Sequence, residues 1–139
     1  HDTPVPDETA YVLDLLTASE ALAALSTGIG LVGHTHVPRI FTAPMNIIGH
    51  GFCPPEAVEA IAPQDGEPVR LPTDHVALCN PGAVGQPRDS DPRASCAILD
   101  TEQRTFTVHR VDYDIRQTRA DTIEAGLPAI LGERLSQGI

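Results

Sequence analysis

Apolar and polar positions recur along this chain with two different periods, and the change of period marks the elements. Ala21, Leu22, Ala24 and Leu25 recur at helical spacing behind Thr17-Ala-Ser-Glu20, which fits a capping box. A helix is therefore predicted to about Ser26, with Tyr11, Leu13, Leu15 and Leu16 forming a turn before it. Thr27-Gly28 ends that helix, and residues 29 to 32 read as a short buried strand closed by Gly33. Residues 38 to 48 are strand-like but interrupted by Pro44, which predicts an edge strand or a bent hairpin. Residues 49 to 74 are proline-rich and predict a loop insertion with at most one helical turn, at residues 55 to 61.

Residues 76 to 79 form another short apolar run, leading into Asn80-Pro81-Gly82, a strong turn signal. Residues 93 to 99 and 104 to 113 then predict a strand pair turning at about residues 100 to 103. Phe106 and Val108 alternate with Thr105, Thr107 and His109, so one face is buried. Asp114 is placed to cap a helix that runs to about Ala125 and stops at Gly126. Pro128 opens a last short helix ending near Gln137-Gly138. Short strands with helices at both ends predict an α/β or α+β layered fold.

Composition narrows the class. The 139 residues suit a single domain portion, and 41% hydrophobic with 20% charged residues is the balance of a packed globular chain. The formal net charge is −10, and all nine basic residues are arginine, which excludes binding to nucleic acid through a basic patch. No apolar run is long enough for a membrane span, and no signal peptide is visible. Cys53, Cys79 and Cys96 are odd in number and widely spaced, without a C-x-x-C pair. Three free thiols in a reducing, cytoplasmic compartment are expected.

The chemistry concentrates in GLVGHTHVPRIF, residues 30 to 41, which sets His34 and His36 one residue apart behind an apolar run. On a loop leaving a strand, both side chains can swing to one side. Two imidazoles so placed suit one metal ion or two adjacent ones. The alternative is a pair of turn histidines with ordinary hydrogen bonds. A second stretch, NPGAVGQPRDSDPRAS from residue 80 to 95, holds a glycine- and proline-bearing loop with Arg88 and Arg93. Their guanidinium forks suit phosphate oxygens, or are simply solvated.

GHTHVP at residues 33 to 38, NPGAVGQPRDSDPRA at 80 to 94 and AGLPAILGERLSQG at 125 to 138 together resemble the carboxyl-terminal half of bacterial calcineurin-like metallophosphoesterases. Order and spacing agree over most of residues 29 to 138. The resemblance implies part of a four-layer α-β-β-α sandwich whose first half is missing. It also implies hydrolysis of phosphomonoesters or phosphodiesters by a hydroxide that two divalent metals activate. Manganese is the first expectation, with iron, nickel or zinc as alternatives. His1, in HDTP, sits where that family has a loop histidine. By the resemblance, His1 and His34 are ligands of one metal and His36 of the other, and Arg88 is the candidate phosphate contact. Ala83 departs from the family's usual serine, and Cys96 from a common aromatic.

The family's earlier motifs, aspartate–x–histidine, glycine–aspartate and glycine–asparagine–histidine, do not occur in these residues. They carry the bridging aspartate, the asparagine ligand and the leaving-group histidine, so the catalytic residues are expected upstream of residue 1. The chain opens on His1 without methionine, which fits a cleaved product or the carboxyl-terminal portion of a longer protein. By itself it is expected to be inactive. The expected partners are a phosphoester substrate and the missing amino-terminal half of the same domain, whose absence would leave an apolar face or edge uncovered. The competing expectations are a non-catalytic binding module and one half of a split enzyme.

Overall fold

The computed structural model describes residues 1–5, 11–48 and 51–139, and shows a mixed α+β fold of three helices and two sheets. The first helix, α1 (Leu15–Ala24), starts earlier than expected. Its N-cap is Asp14, whose carboxylate accepts the Thr17 backbone N–H at 2.9 Å, while the Thr17 hydroxyl accepts the Asp14 backbone N–H at 3.2 Å. The capping box is thus Asp14 to Thr17. A carboxylate caps as well as a hydroxyl does, and Thr17 serves equally well as the reciprocal residue three positions on.

The larger sheet has the order β1-β5-β2-β3, from β1 (Ile29–Leu31), β5 (His75–Asn80), β2 (Arg39–Pro44) and β3 (Glu59–Ile61). The smaller has β4 (Pro68–Arg70), β7 (Thr105–Val111) and β6 (Ala94–Asp100) in the order β4-β7-β6. Period-two alternation sorts the side chains into layers. Phe41, Ala43 and Leu78 face α1, where they pack with Ala18, Ala21 and Leu22. Their strand neighbours Ile40, Ala77 and Cys79 face the smaller sheet and meet Phe106 and Val108. The order of layers is therefore helix, sheet, sheet. The remaining helices, α2 (Ile115–Glu124) and α3 (Ala129–Leu135), pack on each other, and Asp114 caps α2 as expected.

Three strand expectations are corrected. β2 is not an edge but lies between β5 and β3, with four of its six residues buried. Pro44 is its last residue, opposite His75, so the missing N–H falls where pairing stops. β1 is not buried: β5 alone pairs with it among the described residues, and Leu31 is 60% exposed. Residues 49 to 74 are not loop throughout. A 3-10 turn at Pro55–Ala57 precedes β3, and β4 follows, so the segment gives one short strand to each sheet. Pairing with longer neighbours stabilises such three-residue strands, which carry no alternation of their own.

Beside β1 the space between the sheets is open. A cavity of about 390 Å³ is lined by Leu31, Ala97, Leu99 and Phe106 on its apolar side and reaches His1 and Gly33. Among the described residues no helix is long and apolar enough to cross a membrane.

Candidate metal centre

β1 and β5 run parallel and adjacent, with Leu31 opposite Cys79, so their carboxyl ends lie side by side. That is where sheets of this kind gather functional loops. Val32 continues the pairing by donating to the Cys79 carbonyl at 3.0 Å, and the Gly33 N–H donates to the His1 carbonyl at 2.6 Å. The chain then turns sharply. The Thr35 N–H closes on the Gly33 carbonyl at 2.8 Å, leaving His34 at the apex of a three-residue turn with φ 67. This is the strained hand of that turn. His36 follows with φ 62, so both histidines occupy the left-handed region that non-glycine residues seldom adopt.

The turn brings His34 against His1, their rings 5.3 Å apart between centroids and nearly perpendicular. Tyr11 stacks on the His34 ring with centroids 4.1 Å apart and planes tilted by 18°. His36 is held separately: its Nδ1 lies 2.7 Å from the Gln86 carbonyl. A carbonyl can only accept, so Nδ1 carries the proton and the lone pair of the neutral ring is on Nε2. The backbone N–H of Arg88 donates to the His36 carbonyl at 3.2 Å. The loop after β5 therefore grips the histidine turn from one side.

These donors fit a divalent transition metal in kind and fall short of it in number. Imidazole nitrogens, one with its tautomer set by a carbonyl, are ligands of the right type. Among the described residues, however, no three His, Cys, Asp or Glu side chains stand close enough to hold an ion. His1 and His34 are brought together; no carboxylate joins them.

The arginines of the second stretch divide. Arg93 binds Asp91 through two nitrogens and Asp65 at 2.8 Å, so it is an ion-pair residue and not an open phosphate fork. Arg110 closes the same network on Asp89. Arg88 makes one side-chain bond, to the Gln86 amide oxygen at 3.2 Å, and its Nε is buried without a partner among the described residues. Of the other histidines, His75 opens β5 and pairs with Asp74 at 2.8 Å. His109 lies on β7 as expected, and His50 falls outside the described residues.

Asn80 is the residue that pattern reading passed over. It is 3% exposed and donates to both the Gly33 carbonyl and the Thr35 hydroxyl at 2.9 Å, while its own oxygen accepts the Gly82 N–H at 2.9 Å. The one sequence signal was an asparagine ending a strand before Pro-Gly. The Gln86 carbonyl had none, because any residue offers one.

A mixed α+β fold with imidazoles at the carboxyl ends of parallel strands matches a metallophosphoesterase-like architecture. The crystal structure of a metallophosphoesterase from Sphaerobacter thermophilus superposes with a TM-score of 0.84 at 37% identity, over 100% of this chain and 54% of that one. The chain is also 35% identical over 107 residues to the uncharacterized protein MJ0912 of Methanocaldococcus jannaschii, covering 77% of this chain and 38% of that protein. It thus spans about half or less of the length of each relative. No family model matches.

Proposed function

We propose that this chain is the metal-binding, carboxyl-terminal portion of a calcineurin-like metallophosphoesterase, contributing three imidazoles and a phosphate-facing arginine to a site completed by residues outside 1–139. The observation that carries this reading is the His34–His36 turn, locked between His1 and the loop after β5. His1 and His34 would hold one divalent metal and His36 the other through Nε2. When bound, the metals supply Lewis acidity toward a phosphoester and a water made acidic enough to attack at neutral pH. The chain's own residues orient the donors, and the guanidinium of Arg88, whose backbone bonds His36, would offer charge to a phosphoryl oxygen. The imidazole set favours manganese, iron, nickel or zinc over calcium.

The free edge of β1 and the opening beside it suit further parallel strands of the same domain, which would cover Leu31 and bring the carboxylate ligands. With no complete donor set among the described residues, catalysis on this reading needs partner residues, whether they lie in one polypeptide or two.

The test uses protein expressed from its full coding sequence, loaded with manganese and assayed on p-nitrophenyl phosphate and bis-p-nitrophenyl phosphate. Metal-dependent hydrolysis of either, lost together with bound metal in His34→Ala and His36→Ala, is the expected result. Metal content unchanged in both variants would overturn the reading, leaving a binding module on a shared fold.

A further inference from the structure

We propose that Asn80 is a positioning residue for the His34 and His36 imidazoles, acting as a clamp on the strained turn that carries them. The proposal rests on the reading of those histidines as metal ligands. The turn is held at two points by one carboxamide: Nδ2 meets the Gly33 carbonyl at its start and the Thr35 hydroxyl just past its apex, both at 2.9 Å. Backbone strain of this kind persists only where the surroundings over-determine it. Here the surroundings are few. Apart from the turn's own Thr35–Gly33 bond, Gly33 is tied to His1, and His36 to Gln86 and Arg88. Among the described residues Asn80 alone hydrogen-bonds both flanks of His34, at Gly33 and at Thr35, while the His1 and Tyr11 rings pack against its imidazole.

The residue type is dictated by the geometry. A hydroxyl could not donate to both acceptors and also accept from Gly82, and a carboxylate has no protons for them. Asn80 is itself fixed, because it ends β5 and its oxygen is occupied by the Gly82 N–H. The clamp is therefore built into the sheet, and sheet order is transmitted to the imidazoles. With the clamp removed, His34 can relax out of the left-handed region, and the His34 and His36 nitrogens lose their fixed separation.

Cobalt(II) is the probe, because its visible d–d spectrum reports ligand geometry as well as occupancy. Protein expressed from the full coding sequence is titrated with cobalt as wild type, Asn80→Asp, Asn80→Ala, Thr35→Val and the distant core variant Val108→Ala. A clamp predicts about 10- to 100-fold weaker cobalt binding and an altered spectrum per bound ion for both Asn80 variants. Thr35→Val should show a smaller loss that does not add to that of Asn80→Ala, since both break one bond. Val108→Ala, buried in the inter-sheet core, should lose stability yet keep the wild-type spectrum and affinity. If the Asn80 variants bind cobalt like wild type, Asn80 only holds the loop and the proposal falls. Should Asn80→Ala fail to fold, the near-isosteric Asn80→Asp decides alone. If His34→Ala leaves wild-type cobalt binding unchanged, the metal-site reading itself has failed, which is a separate result.

Discussion

The His1 imidazole rests directly on Gly33, so closely that a Cβ at position 33 would meet the ring carbon Cε1 at 3.0 Å and Nδ1 at 3.2 Å. Gly33 is not in the left-handed region, so alanine costs the backbone little. Its methyl would push one imidazole by a few tenths of an ångström. Gly33→Ala is expected to lower divalent-metal affinity about tenfold, in the range found when ligand geometry is disturbed, with unfolding free energy changed by less than about 1 kcal/mol. Isothermal titration and urea denaturation on one preparation check both halves. A large stability loss with intact metal binding would place Gly33 in the fold instead of the site.

Gly82 presents the opposite case. It has φ +83, and a Cβ there would come within 2.8 Å of Pro38 Cγ and of Ser95 Oγ. Ser95 cannot yield, because its hydroxyl donates to the Pro81 carbonyl at 2.6 Å and its backbone to Ala83. Left-handed strain of about 1–2 kcal/mol and overpacking of about 1–3 kcal/mol then act together. Gly82→Ala should lower unfolding stability by about 2–4 kcal/mol, read from denaturant midpoints at constant m-value. A loss below 1 kcal/mol would mean that the loop shifts freely and does not grip the histidine turn.

How far the sequence foretold this arrangement depended on where each signal resides. The Asp114 cap, the Gly126 stop and the buried face of Phe106 and Val108 are local properties, and they appear where the pattern places them. β3 and β4 were illegible because three residues such as Glu59, Ala60 and Ile61 have no period, and partners alone make them strands. The apolar run of β1 read as buried because composition reports preference and not company: among the described residues nothing covers Leu31. His34 and His36 were visible as a pair. Their left-handed backbone, and the Asn80 carboxamide that holds it, are tertiary facts with no pattern of their own.

The Asp65, Asp91 and Arg93 network contributes to the acid response. Two-pronged bonding from the Arg93 side chain, then its backbone N–H, hold the Asp91 carboxyl below the ordinary carboxylate range. Asp65 is lowered chiefly by the Arg110 backbone N–H, with Arg93 assisting. A carboxylate whose folded pKa is depressed contributes stability in full above its unfolded value, near pH 4, and loses it as pH falls through the folded value. Asp91→Asn should therefore be less stable than wild type at pH 7, with the gap closing below about pH 4. Denaturation midpoints at pH 7, 4 and 3 decide; a gap that stays constant would show that Asp91 acts through packing and not charge.

The cysteines give a test of the layer order without mutation. Cys79 lies between the sheets, 0% exposed, and burial pushes its thiol up to about 12. Cys53 is 3% exposed and is also raised by burial, with Glu56 adding repulsion. Cys96 points out of the smaller sheet from β6 and is exposed. Only the thiolate attacks a disulfide reagent, and only when it is reachable. At pH 8 the native protein should release one equivalent of thionitrobenzoate from residues 1–139 quickly, with Cys96 identified as the labelled site by peptide mass mapping. The other two should follow only on unfolding in guanidinium. Rapid labelling of Cys79 in the native state would mean that the space beside β1 opens into the inter-sheet core more widely than the 390 Å³ cavity shows. Slow labelling of Cys96 would mean that something covers the outer face of β6.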